Sequence, residues 1–258
     1  MGIRKGVYIP SLFTAVNLAC GFLSLTASFN REFSKAGWYI IAAWMLDLVD
    51  GKIARLTGTA SDFGIEFDSL ADLVSFGVAP GFLYYALFMN SYPFGWAVIF
   101  VYVLAVAMRL ARYNVKTFYQ SRSNCFEGLP SPGAASFLAI LSIVYLIFES
   151  ERTHKTIPFV MKNISLFIHF IPAVIFILSF LMISRIPYSN FSSFKLTGRL
   201  PFRIFIFIVF VGLFIWLFPE NSIFIILLGY VLSGIIDLFL RYWKIRRRNG
   251  GQKQSLHL

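Results

Sequence analysis

From Leu73 to Met108 the chain carries no charged side chain at all, and Gly6 to Asn30 is a second such run. A hydrocarbon core about 30 Å thick takes roughly 20 apolar residues to cross as a helix, and inside it every backbone polar group has to be satisfied within the segment. Runs of this length therefore leave the helical bundle as the architecture. The rest of the composition agrees. Only 14% of the 258 residues are charged and 58% are hydrophobic, with thirty Phe, whereas soluble domains carry about 25% charged residues. An ordinary soluble domain is excluded, and the expectation is an all-α integral membrane protein forming one transmembrane domain over residues 1–258. Because many further apolar runs follow the first, Gly6 to Asn30 reads as a retained span and not as a cleaved signal peptide.

Charge-free stretches of spanning length give about eight helices, centred on Ser11 to Phe29, Ala36 to Arg55, Asp68 to Met89, Phe94 to Tyr113, Gly133 to Phe148, Ile164 to Ser184, Phe202 to Phe218 and Ser222 to Trp243. The turn-like NSYPFG divides the longest run in two. Lys and Arg then set the orientation. Eighteen of the 23 fall on one side, six of them in the tail from Arg241 to Lys253, and five (Arg31, Lys35, Arg152, Lys155, Lys162) on the other. By the positive-inside rule both termini are cytoplasmic, with the basic tail 241–258 against anionic headgroups. A net charge of +11 is thus spent on topology and lipid, and nucleic acid is not an expected partner. Cys20 and Cys125 form neither a disulfide framework nor a metal cluster.

The chemistry concentrates in MLDLVDGKIARLTGTASDFGIEFDSLAD. Asp47 and Asp50 stand at i and i+3 near the inner end of the second span, and Asp68 and Asp72 at i and i+4 at the inner start of the third. Each pair projects from one helical face. Two antiparallel helices joined by a short loop would point four carboxylates at one another where membrane meets cytosol. Carboxylates about 6 Å apart repel by roughly 3 kcal/mol at an effective dielectric of 20, so a cation belongs among them. Oxygen-only ligands favour Mg²⁺ or Mn²⁺, with Ca²⁺ a competitor, and four Asp can hold two ions in the clamp suited to phosphoryl transfer. Two other readings stay open. The acids can pair with Lys52 or Arg55, or they can line a cation channel or transporter. Gly51 and Ala54 remove bulk beside the carboxylates, and Arg55 offers a forked phosphate donor; an ion path needs neither.

Asp47-x-x-Asp50-Gly51-x-x-Ala54-Arg55, eight residues, then Gly64-x-x-x-Asp68-x-x-x-Asp72 matches the signature of the CDP-alcohol phosphotransferase family at every defined position and spacing. The resemblance implies a membrane enzyme with a six-helix core, usually a homodimer, that transfers a phosphoalcohol group from a CDP-linked donor to an acceptor hydroxyl and releases CMP. It implies divalent metal on Asp47, Asp50, Asp68 and Asp72, with Asp68 and Asp72 catalytic and Asp72 the general base. Gly51, Ala54, Arg55 and Gly64 would then contact the CDP and its diphosphate.

Outside the signature, PSLFTAVNLACG, DLVSFGVAP, RLARYN, GLPSPGAAS and SRIPYSNFSSFK resemble segments of the bacterial-type phosphatidylserine synthase branch of that family. One departure is Ser11, where that branch has Asn after the proline. The branch implies CDP-diacylglycerol as donor, L-serine as acceptor, and phosphatidylserine and CMP as products, in the cytoplasmic membrane with the active site facing the cytosol. Glycerol 3-phosphate or inositol phosphate is the alternative acceptor on the same scaffold. Arg109 and Arg112, one turn apart at the depth of the acids, are candidates for diphosphate or the serine carboxylate, and Arg185 and Lys195 for the same work; Arg109 and Arg112 also read as topology charges. Pro130 and Pro132 read equally as helix-start punctuation, and SFGVAP as a packing kink.

Overall fold

The structure, a computed structural model, describes residues 8–57, 62–90, 92–119, 126–150, 164–184, 186–188 and 222–233. Within them it is a helical bundle. Helices α1 (Tyr8–Phe29) and α2 (Phe33–Thr57) form an antiparallel pair. One unbroken rod follows, made of α3 (Asp62–Asp72), a π-helical segment (Leu73–Val78), α4 (Ala79–Tyr84) and a second π-helical segment (Tyr85–Met89). Then come α5 (Gly95–Tyr119), α6 (Ser131–Glu149), α7 (Ile164–Ile183) and the shorter α8 (Ser222–Ser233). Leu12–Phe29, Phe63–Met89 and Gly95–Val115 are long and apolar enough to cross a membrane, and α6, α7 and α8 hold shorter apolar stretches. This is an all-α membrane protein.

The expected spans fall on these helices, apart from Phe202 to Phe218 and the second half of Ser222 to Trp243, residues 234–243, which lie outside the described residues. One boundary differs. The third span begins at Asp62 and not at Asp68, so Asp68 and Asp72 sit inside a formed helix and not at its first turn. A pair of two-residue strands was also not expected: β1 (Phe126–Glu127) and β2 (Pro187–Tyr188) are antiparallel, with Phe126 opposite Tyr188. Gly128 follows at φ +84°, where a Cβ would run into the Met182 and Ser184 carbonyl oxygens. Its N–H donates to Ile186 O at 2.8 Å and that of Leu129 to Leu181 O at 3.0 Å. The start of α6 is thereby pinned to the end of α7.

Helix α6 is the axis of the core. Ala134, Ala135, Leu138, Ala139 and Ile140 have no exposed surface, and a helix apolar on all sides belongs in the interior. Against it pack α2 and the α3–α4 rod, while α1 lies along α2 and the rod, and α5 lies along the rod and α7. Small residues permit this closeness. A Cβ on Gly37 would stand 2.8 Å from Ile143 Cγ1, and one on Gly21 would stand 2.8 Å from Ser75 Cα, the kind of backbone approach that holds helices together in lipid.

The SFGVAP segment holds a widened, π-helical turn of the rod. In the first π-helical segment Ala79 N–H reaches back five residues to Val74 O. Pro80, in the first turn of α4, has no N–H to offer the preceding turn. The Phe76 carbonyl is instead satisfied by the Tyr102 hydroxyl of α5, at 2.9 Å. Isolated π-helical turns mark functional sites often enough to draw attention to the residue beside this one, and that residue is Asp72.

Candidate active site

Five helices, α1, α2, α3, α5 and the start of α6, bring polar side chains to one end of the bundle. Asp47 projects from α2, and Asp68 and Asp72 from α3; one carboxylate oxygen of each lies within 4.8 Å of the others. Asp47 and Asp68 are half-buried, and Asp72 is 7% exposed. At that separation each pair repels by about 3 kcal/mol or more at an effective dielectric of 20. Hard oxygen donors drawn this close fit a divalent cation, which would remove the repulsion. The expected clustering therefore forms for Asp47, Asp68 and Asp72. Helix α2 continues without interruption through Asp50, Gly51, Ala54 and Arg55, whose side chains lie outside what the structure describes. Gly64 is half-buried in α3, one turn before Asp68.

Asp72 is held from α1. Asn17 Nδ2 donates to Asp72 Oδ1 at 3.3 Å, and the Asn17 carbonyl accepts from Ser75 Oγ at 3.0 Å. Ser75 lies on the π-helical segment, so the widened turn after Asp72 and the helix that grips Asp72 are tied together. Gly21, one turn beyond Asn17, is what lets Ser75 come so near. Asn17 lies inside PSLFTAVNLACG, yet nothing local marks its role. The available signal is a strong hydrogen-bonding amide in the midst of an apolar span, where such groups need a partner.

On the other flank α5 supplies Arg109. Two contacts fix its level: Tyr102 with the Phe76 carbonyl, and Asn114 with Ser69, whose hydroxyl accepts from Asn114 Nδ2 at 2.9 Å. Arg109 lies between these rungs of an antiparallel pair and so comes level with Asp72. Its side chain is 9% exposed, and Nη1 donates to Ser131 Oγ at 2.7 Å. Ser131 opens α6 between Pro130 and Pro132, so the two prolines do punctuate a helix start, and the residue between them faces the site. Arg112 is half-buried one turn on. Arg185 and Lys195 lie outside the described residues.

Three carboxylates, a buried guanidinium and a buried amide at the end of an apolar bundle make a site for an anionic group brought in with metal. Comparison with known proteins bears on which one. Residues 7–178 match the family model described as CDP-alcohol phosphatidyltransferase. The chain is 35% identical over 252 residues, 96% of its length, to 99% of a Helicobacter pylori protein named CDP-diacylglycerol–serine O-phosphatidyltransferase. Proteins of that name from Bacillus subtilis and Methanocaldococcus jannaschii are 37% and 40% identical, over 54% and 53% of this chain and 77% and 61% of their own.

Proposed function

Because the chain belongs to the CDP-alcohol phosphatidyltransferase family, we propose that it transfers the phosphatidyl group of CDP-diacylglycerol to the hydroxyl of L-serine, giving phosphatidylserine and CMP. The observation that carries this reading is the convergence of Asp47, Asp68 and Asp72 within a chain matching almost the whole of a relative with that named activity.

The donor's acyl chains stay in lipid while its headgroup enters the polar end of the bundle. Gly51, Ala54 and Gly64 leave room for cytidine and ribose, and Arg55 neutralises the diphosphate with a forked pair of donors. Asp47, Asp50, Asp68 and Asp72 would hold divalent metal, two ions of Mg²⁺ or Mn²⁺, which would supply charge stabilisation to the transfer. Asp68 keeps its carboxylate beside Asp72. Asp72, gripped by Asn17 on one oxygen, takes the proton from the serine hydroxyl as that oxygen bonds to the phosphorus bearing the diacylglycerol. The bond from that phosphorus to the CMP oxygen breaks, and CMP leaves. Arg109 and Arg112, with Arg185 and Lys195, contribute positive charge toward the diphosphate or the acceptor.

The setting follows the same reading. The Lys and Arg distribution supports both termini and the site on the cytoplasmic face and the basic tail on anionic lipid, in a chain that forms one transmembrane catalytic domain. As the family resemblance implies, the protein works as a homodimer. The test is CMP release from CDP-diacylglycerol by purified protein with Mn²⁺ or Mg²⁺, comparing serine, glycerol 3-phosphate, inositol phosphate and no acceptor. Serine-dependent release that EDTA abolishes is the expected result. Release with another acceptor in place of serine overturns the acceptor, and ion flux in vesicles without CMP release overturns the chemistry.

A further inference from the structure

Among the described residues three buried side-chain atoms have no hydrogen-bond partner: Asn17 Oδ1, Arg109 Nε and Ser28 Oγ. Leaving such an atom unmade costs about 1–3 kcal/mol, more where charge is involved, so each calls for an explanation. Ser28 lies three turns from Asn17 toward the far end of α1. The other two belong to residues on either side of Asp72. Asn17 approaches from α1 and is already bonded to Asp72 through Nδ2. Arg109 approaches from α5 at the same level, already bonded to Ser131 through Nη1. Their free atoms are of opposite kind. A carboxylate can only accept, so the atom that meets Asp72 is the Asn17 nitrogen, and the one left over is an acceptor. Arg109 Nε can only donate.

One acceptor and one charged donor flanking a carboxylate have a specific complement. We infer that Asn17 Oδ1 receives the ammonium, and Arg109 Nε the carboxylate, of a zwitterionic amino-acid acceptor whose hydroxyl is turned to Asp72. This deepens the reading under Proposed function and rests on it. The first turn of α6 adds to the carboxylate side, because Ser131 stands at the positive end of a 19-residue helix. Glycerol 3-phosphate and inositol phosphate can offer the amide oxygen only a neutral hydroxyl, a weaker donor than an ammonium, so the pair favours the zwitterion by charge pattern. Asn17 then has two tasks: its nitrogen positions Asp72, and its oxygen reads the substrate.

The experiment measures CMP release from CDP-diacylglycerol with Mn²⁺ at rising serine, with ethanolamine, which lacks the carboxylate, and 3-hydroxypropionate, which lacks the ammonium, as competitors. It is done on the unaltered protein and on Arg109→Lys and Asn17→Ala. Each analogue should bind the unaltered protein at least about tenfold more weakly than serine, the loss expected for one unmade charged hydrogen bond. Arg109→Lys should raise the KM for serine about tenfold or more, leaving the ethanolamine inhibition constant and the donor KM within about twofold. Asn17→Ala should lower kcat, through Asp72, and weaken serine while sparing 3-hydroxypropionate. Either analogue binding as tightly as serine overturns the inference, as does an Arg109→Lys loss that falls on the donor KM. If neither variant turns over, the analogue series on the unaltered protein decides alone. Failure of the underlying reading looks different, since the unaltered protein would then release CMP with some acceptor other than serine.

Discussion

Asp72 is gripped on one oxygen from α1 and crowded by two other carboxylates, a placement that suits one defined proton acceptor. Replacing it by Asn keeps the shape and removes the basicity. Asp72→Asn should therefore lower CMP release by about 10²-fold or more, the usual contribution of a positioned base, while CDP still binds in the presence of Mn²⁺. A variant that keeps more than a few per cent of normal turnover removes Asp72 from that role. Asp47, Asp68 and Asp72 were legible in the sequence because their geometry is local: helical spacing puts them on helix faces before anything about the fold is known. Asn17 was not, since its meaning is a contact across 55 positions of the chain. Ser131 was hidden differently, by two prolines that explain a helix start without reference to the serine between them. Arg109 was legible by depth, but not its partner.

Among the elements, the widened turn Leu73–Val78 carries the most consequence. It is followed by Pro80 in the first turn of α4, borrows a hydroxyl from α5 for the carbonyl the proline strands, and rests on Gly21 of α1. Helix positions could be read from apolar runs, but this turn could not, because what completes it is supplied by other helices. Its contact with α1 is testable. Gly21→Val puts branched carbon where Ser75 Cα would be 2.8 Å from the Cβ, and overpacking of this kind costs about 1–3 kcal/mol. Since the same displacement carries Asn17 away from Asp72, kcat should fall at least about tenfold (~1.4 kcal/mol on the barrier); unchanged kcat would mean that α1 does not set the base. The α1–α2 turn makes the opposite case. Arg31 sits at φ +61°, with its N–H on Ser28 O and that of Glu32 on Ala27 O, the doubled bond of a helix end that favours glycine. Arg31→Gly should raise stability by about 1 kcal/mol, read as a thermal midpoint in detergent roughly 2–4 °C higher. A lower midpoint would show that the exposed arginine side chain contributes more than its backbone costs.

At the scale of the molecule, the membrane class was legible because lipid tolerates so few alternatives to long apolar helices, whereas the order in which those helices pack was not, since Ala, Gly and Leu faces read alike. The packing that resulted sets metal affinity against metal-free stability. Asp47, Asp68 and Asp72 are pressed within 4.8 Å by helices whose cores lie elsewhere, so without a cation the bundle bears their repulsion. A metal that binds only the folded chain adds RT ln(1 + [M]/Kd), about 2.7 kcal/mol at a hundredfold excess over Kd. Protein stripped with EDTA should therefore melt lower than protein in Mn²⁺ by roughly 5–10 °C. Removing one charge separates the two contributions. Asp68→Asn should raise the metal-free midpoint, because one carboxylate no longer repels two, and should shrink the increment that Mn²⁺ supplies. Were the midpoint indifferent to Mn²⁺ while CMP release required it, the metal would have to arrive with the nucleotide, and the three acids would be receiving a complex already formed.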